Sequence, residues 1–282
     1  MRRLSEHTYV ATEFQGCTNG CVATPDGVVV IDPPMRPTSA VAWRREVETL
    51  GQVRYVVNTE HHRDHILGNA FFPGTVVAHE LTRRQFLESL GPVESVRERV
   101  AKFGPEELPL VADYRPRLPE ITVSEELTLH LGGIEVRLIR MPGHLPNNLT
   151  VYLPQEGVLF GSDNLFLNSL PFLNECLPEE WLRTLARMQA MDAETLVPGH
   201  GEVSGKEAIE PFAAFLREIT AQVQEGISQG WTREETAERL SFLDRFPIEP
   251  HSRHLAPVGH RLSLLRLHDV LTMGSGAPPL PL

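Results

Sequence analysis

Asn58-Thr59-Glu60-His61-His62-Arg63-Asp64-His65 places five potential metal ligands in six consecutive residues. It follows Val53-Arg54-Tyr55-Val56-Val57, a β-branched and aromatic run that reads as a buried strand, and precedes Ile66-Leu67-Gly68-Asn69, where a short helix is expected. Imidazoles and carboxylates crowded at a strand end repel one another or stay unsatisfied unless something positive gathers them. A divalent cation does that best.

Three later segments share this grammar of an apolar strand running into a ligand. Glu135–Arg140 leads to Met141-Pro142-Gly143-His144, Gly157–Phe160 to Gly161-Ser162-Asp163, and Thr195–Val197 to Pro198-Gly199-His200-Gly201. Ligands on Gly- and Pro-rich turns at several strand ends describe a site built on the edge of a rigid scaffold.

In this ordered combination the chain resembles the metallo-β-lactamase superfamily over residues 7–205. That family's His-x-His-x-Asp-His motif, distal His, bridging Asp and final Pro-Gly-His correspond to Glu60-x-His62-x-Asp64-His65, His144, Asp163 and His200. Gly27-Val28-Val29-Val30-Ile31-Asp32 also looks like the family's early strand closing in Asp. The resemblance implies an αββα sandwich, two mixed sheets face to face with helices outside. It implies a first metal on Glu60, His62 and His144, a second on Asp64, His65 and His200, and Asp163 bridging them. The expected cofactors are two divalent ions, Zn²⁺ first. Mn²⁺ or Fe²⁺ enter because position 60 carries Glu where the family usually has His, and a carboxylate suits harder ions better than imidazole does. If Glu60 points elsewhere, one metal remains on Asp64, His65 and His200. Ser162 is a second departure, since Gly-Asp is the common context.

The chemistry expected is hydrolysis by a metal-bound hydroxide, with Asp64 as the catalytic residue that orients the nucleophile and carries a proton to the leaving group. Phe166, Leu170, Phe172 and Leu173 after Asp163 suggest a partly apolar wall. That favours a small ester, thioester, lactone or lactam. An iron-dependent dioxygenase, a phosphodiesterase and a catalytically weak metal-binding protein are the alternatives. Asn147 and Asn148, just past His144, either donate to a substrate oxygen or cap the turn, and the turn is the plainer reading. Gly-x-Ser-x-Gly, Gly-x-x-x-x-Gly-Lys-[Ser/Thr] and Gly-x-Gly-x-x-Gly are all missing, so serine-triad and nucleotide chemistry lack support.

His79 reads as a structural group or one that supports a ligand, and His61 alternates away from His62. His251, His254 and His260 fall in a Pro-punctuated stretch and read as solvated loop histidines, with a site mouth or subunit contact as the other options. Three cysteines form no disulfide framework, and Cys17, Cys21 and Cys176 read as packed thiols. A net charge of −11 argues against a nucleic-acid surface, and no apolar run is long enough to span a bilayer. Met1–Glu6 lacks an apolar targeting core, so a cytoplasmic location is expected. A small-molecule partner is expected, and a homo-oligomer stays open.

The 282 residues are expected to form one catalytic domain over 1–273. A helical insertion is expected at 81–118 between the two halves of the core, and a helical extension at 206–273. Helices are read over Thr38–Leu50, Glu179–Met191, Lys206–Gln229, Thr232–Phe242 and Gly259–Met273, a hairpin turn at Gly132-Gly133, and a disordered tail at 274–282.

Overall fold

The computed structural model describes residues 1–280, with the side chain of His251 outside that description. The first sheet takes its strands in chain order: β1 (Arg2–Arg3), β2 (Thr8–Ala11), β3 (Asn19–Thr24), β4 (Gly27–Ile31), β5 (Val53–Asn58), β6 (Thr75–His79) and β7 (Ile121–Val123). It is antiparallel from β1 to β4 and parallel from β4 to β7. The second sheet has the order β12-β11-β10-β9-β8, with β8 (Glu126–Leu131), β9 (Ile134–Arg140), β10 (Leu149–Leu153), β11 (Val158–Leu167) and β12 (Thr195–Gly201). Only the β11–β12 pair in this sheet is parallel. Both sheets are mixed, as expected.

The unbroken apolar run of β4 follows from burial on both faces. Val29 and Ile31 point inward with Val57 and Val77, meeting Val136, Leu138, Val151 and Phe160 of the opposite sheet. Val28 and Val30 alternate outward with Val56 and Val76 and pack on Trp43 and Val47. Those two residues belong to α1 (Pro37–Glu48), whose first position is the proline that needs no amide partner there. The other outer face is covered by α5 (Pro178–Ala190), α6 (Ile209–Ser228) and α8 (Ala256–Met273), with α7 (Arg233–Arg239) beside α8. Acidic Glu179 and Glu180 in the first turn of α5 and Arg187 in its last turn complement the helix dipole. Thr232 and Glu235 form a reciprocal capping box that starts α7. Leu131 pairs with Ile134 across Gly132-Gly133, whose φ values of 55° and 84° meet the two left-handed positions of a tight hairpin.

Several expectations are corrected. The helical insertion, comprising α3 (Glu80–Leu90), α4 (Val93–Ala101) and a 3₁₀ segment Pro105–Val111, lies between β6 and β7 of one sheet, not between the two halves. It is tied down by the fully buried Glu107, which accepts from Arg36 Nε and Thr38 N at 2.8 Å each, at the start of α1. The last strands do not end at their ligands: β11 runs on through Asp163 to Leu167 with two register shifts, and β12 continues through His200. His260 is buried in α8, where its Nε2 accepts from Phe242 N at 3.2 Å, while His254 is exposed. The tail expected to be disordered has defined contacts through residue 280. Arg266 donates to the Ala277 and Pro278 carbonyls, and Asn174 exchanges two hydrogen bonds with Leu280. Residues 281 and 282 lie outside the described residues.

Trp43 joins α1 to the outer face of the first sheet and is fully buried, with an indole N–H that has no partner. Trp43→Ala is therefore expected to lower unfolding free energy by about 3–5 kcal/mol. Trp43→Phe should cost less, because removing an unpaired donor offsets part of the lost volume. Urea unfolding of the metal-stripped variants measures both.

Candidate metal centre

Between β5 and α2 (Arg63–Ile66), the backbone leaves the sheet at Asn58 and turns through Thr59–His62 before the short helix begins. This turn, the Met141–Asn148 loop, the irregular part of β11 and the end of β12 meet at one edge of the sandwich. They bring together Glu60, His62, His144 and Asp163 in one group and Asp64, His65 and His200 in another. All seven ligand candidates from the sequence are thus assembled in space.

Their geometry points donor atoms at common centres. Glu60 Oε1 is 2.7 Å from His62 Nδ1 and 3.2 Å from His65 Nε2, and its Oε2 is 3.8 Å from His144 Nε2. Asp163 Oδ2 lies 3.3 Å from His200 Nε2 and 3.8 Å from His144 Nε2, while Oδ1 lies 3.3 Å from His65 Nε2. Asp163 therefore faces both groups. His200 Nε2 is also 3.3 Å from Asp64 Oδ2. Yet His65 Nε2 and Asp163 Oδ1, both buried, have no hydrogen-bond partner. Two buried atoms so close without hydrogen-bond alignment are better suited to a shared cation than to each other. The residues present fit divalent metal.

Electrostatics agree. Burial raises the Asp163 carboxyl, but His200 and His65 outweigh that and hold it well below the usual carboxylate range. Burial likewise raises Asp64, and His65 with His200 pulls it below its ordinary value. Glu60 also ends below its ordinary value, because His62 and His65 overcome its burial. Reciprocally, Asp163 and Asp64 overcome the burial of His200 and raise it to about 10. His144, for which burial dominates, is lowered. Without metal, the cluster holds its carboxylates charged by protonating imidazoles.

The surrounding scaffold was only partly visible in the sequence. Asp32, closing β4, accepts from Thr59 N at 2.8 Å and Thr59 Oγ1 at 2.5 Å, and its Oδ2 lies 3.0 Å from His65 Nδ1. That contact fixes the His65 ring with Nε2 inward. Ser162 bonds Thr59 Oγ1 at 2.8 Å and accepts from Asn148 Nδ2 at 3.2 Å. Asp32 and Ser162, two of three non-glycine residues with positive φ among the described residues, have φ of 47° and 54° and sit against the centre. Asn164 accepts from His144 N at 3.0 Å and donates to Met141 O at 2.7 Å, shaping the histidine's turn. Cys17 packs behind His65 and donates to Asp64 O at 3.1 Å; burial pushes its thiol up, as expected of an inert group. Asp32 had a sequence signal in its strand-then-carboxylate pattern. Ser162, Asn164 and Glu175, which meets His62 Nε2 at 3.1 Å, had none strong enough to assign a role.

Of the two asparagines after His144, Asn148 caps the turn, while Asn147 bonds neighbouring segments instead. Asn148 Oδ1 accepts from Leu145 N at 2.6 Å, and Asn147 Nδ2 donates to Thr82 Oγ1 at 2.7 Å. His61 is held by Asn147 at 3.0–3.2 Å, and His79 caps α3 by accepting from Leu81 N. Of the expected apolar wall, Phe166 stacks on His200 at 5.1 Å and meets His144 edge-on at 5.6 Å. Leu170 and Leu173 instead belong to the buried core, and Phe172 packs on Gly259 of α8. A cleft of about 390 Å³ opens beside the centre, between the Thr12–Thr18 loop, Leu167–Asn168, Gly201–Glu202 and Glu249–Pro250.

Residues 15–200 match the metallo-beta-lactamase superfamily, and the chain belongs to that family. It is 23% identical over 270 residues to the linear primary-alkylsulfatase of a Pseudomonas species, covering 84% of this chain and 51% of the relative. It is 28% identical over 213 residues to the hydroxyacylglutathione hydrolase of Methylococcus capsulatus, covering 73% of this chain and 69% of the relative. The chain thus spans about half the length of the first relative. Among solved structures, a metallo-beta-lactamase from Pontibacter korlensis superposes with a TM-score of 0.58 at 21% identity, over 76% of this chain and 97% of its own. One from Erythrobacter litoralis gives a TM-score of 0.58 at 20% identity, over 77% and 95%. These two likenesses establish the sandwich fold. No helix among the described residues is long and apolar enough to cross a membrane.

The glycine of the last Pro-Gly-His is required by close approach. A Cβ on Gly199 would lie 1.9 Å from Asp163 Oδ1. Gly199→Ala is expected to displace Asp163 and reduce bound metal by at least one equivalent, with the far-UV circular dichroism unchanged. Elemental analysis of the purified variant measures it.

Proposed function

We propose that this chain is a metal-dependent hydrolase acting on a small ester, thioester, lactone or lactam, with its centre on one catalytic domain. The observation that carries the reading is a pair of donor groups with Asp163, a member of one, also facing His65 and His200 of the other, and two buried, unpartnered atoms aimed between them. Glu60, His62 Nδ1 and His144 Nε2 would hold one divalent ion, Asp64, His65 Nε2 and His200 Nε2 the other, and Asp163 would face both. Such ions, zinc first among them, supply a nucleophilic water near neutral pH and polarise the scissile carbonyl.

The chain's own residues do the rest. Asp64 is the most exposed carboxylate of the centre, with a side chain 22% accessible against 5% for Asp163 and none for Glu60. That exposure suits it to take a proton from the attacking water and pass it to the departing group. Asp32 and Thr59 keep His65 oriented, and Phe166 excludes water behind His144 and His200.

The cleft supports neutral over anionic substrates. Glu13, Glu202 and Glu249 line it, and among its described lining residues there is no Lys or Arg. A sulfate ester is the second reading, because the alkylsulfatase match covers 84% of this chain. The acidic cleft weighs against it.

Two outcomes are expected. Protein purified without added metal should contain about two equivalents of divalent ion and hydrolyse at least one member of a chromogenic panel of esters, thioesters, lactones and lactams, losing that activity on chelation. Equal activity before and after metal removal would overturn the reading, and preference for an alkyl sulfate would favour the alternative. Asp64→Asn should lower kcat on the best substrate by about 10²–10⁴-fold, with its circular dichroism unchanged.

A further inference from the structure

His62 is the most exposed of the four residues grouped around Glu60, with 29% of its side chain accessible. An imidazole at a rim can flip about its last torsion and present either nitrogen. Here each nitrogen faces a carboxylate. Nδ1 is 2.7 Å from Glu60 Oε1 and 3.4 Å from His144 Nε2, toward the donor group. Nε2 points away and lies 3.1 Å from Glu175 Oε1.

Glu175 is itself 8% exposed, and its ion-pair partner among the described residues is His62. A buried carboxylate with one imidazole to serve needs a fixed backbone, and the segment carrying it has one. Leu173 and Cys176 on either side are fully buried. Leu173 N donates to Ser263 Oγ at 2.8 Å, Arg266 Nε donates to Cys176 O at 3.1 Å, and Asn174 exchanges hydrogen bonds with Leu280 at 2.9–3.0 Å. Those anchors come from α8 and the segment after it, beyond residues 15–200 that match the family.

We propose that Glu175 is a positioning residue for His62, accepting a hydrogen bond from Nε2–H so that Nδ1 faces Glu60 and His144, and that α8 with its following segment holds it there. The proposal rests on the metal-centre reading above. A carboxylate behind a histidine ligand fixes its tautomer and strengthens it as a donor, typically by 10–100-fold in metal affinity.

The test uses the full chain stripped of metal and titrated with zinc against a chromophoric chelator. Glu175→Leu should weaken one binding step by about 10–100-fold and leave the other unchanged. Glu175→Gln should stay within a few-fold of the unsubstituted protein, because its amide oxygen still accepts from Nε2. Nitrogen-15 spectra of the zinc-loaded unsubstituted chain should show His62 protonated at Nε2. Glu175→Leu titrating like the unsubstituted chain, or His62 protonated at Nδ1, would refute the positioning role while leaving the metal centre standing. A third zinc step lost in Glu175→Leu would make Glu175 a ligand with His61 and His62 and likewise overturn the proposal. Failure of the unsubstituted chain to take up zinc would overturn both. Should Glu175→Leu fail to fold, the protonated nitrogen of His62 decides alone.

Discussion

Three carboxylates and four imidazoles held within a few ångströms, most of them out of water, are the constraint around which the sandwich edge is built. Burying one charge without compensation costs several kcal/mol, and here Glu60 and Asp163 are at or near full burial. Without metal, that charge is balanced by protons: Glu60 holds His62, and with Asp32 and Asp163 also His65, well above the ordinary imidazole range, each against its own burial. Such a balance puts N and O atoms where a cation's ligands would stand. The strained backbones at Asp32 and Ser162 become intelligible on the same ground, since each aims a side chain into the network that keeps the donors apart.

Much of this was readable in the chain because each ligand is announced locally. A β-branched run ending in Glu60–His65, and two Pro-Gly-His turns, carry their own signals of strand, stop and ligand. Where the deciding contact is distant in the chain, the local pattern carries no sign of it. Asp163 was expected to end its strand, but Gly161 and Ser162 produce a shift in register and not a stop, so β11 resumes and places Phe166 against His200. The sequence 274–280 is rich in Gly and Pro and lacks periodicity, yet Arg266 and Asn174 hold its backbone through bonds no local pattern announces. His260 looked solvated for the same reason. Its burial depends on Phe242, eighteen residues away and brought alongside only by the fold.

Glu60 stands where the resemblance leads one to expect histidine, and its surroundings suit a carboxylate. A histidine there would present one neutral nitrogen. The carboxylate presents two oxygens to His62, His65 and His144, and Asn148 Nδ2 stands 3.4 Å from Oε2. Asn148 also donates to Ser162, and Ser162 contacts Thr59, which holds Asp32 behind His65. The two departures, Glu60 and Ser162, are therefore linked through one amide and belong to a single network.

That linkage has a chemical direction. An added carboxylate makes the donor set harder and gives any bound cations less net positive charge to act on water and carbonyl. His62 is the imidazole of that group at the solvent rim. Its second carboxylate, Glu175, acts on the far nitrogen and adds basicity without occupying a ligand position. The helices that follow β12 then have a role beyond covering the second sheet. They hold in place the carboxylate that acts on the centre from outside it, through His62.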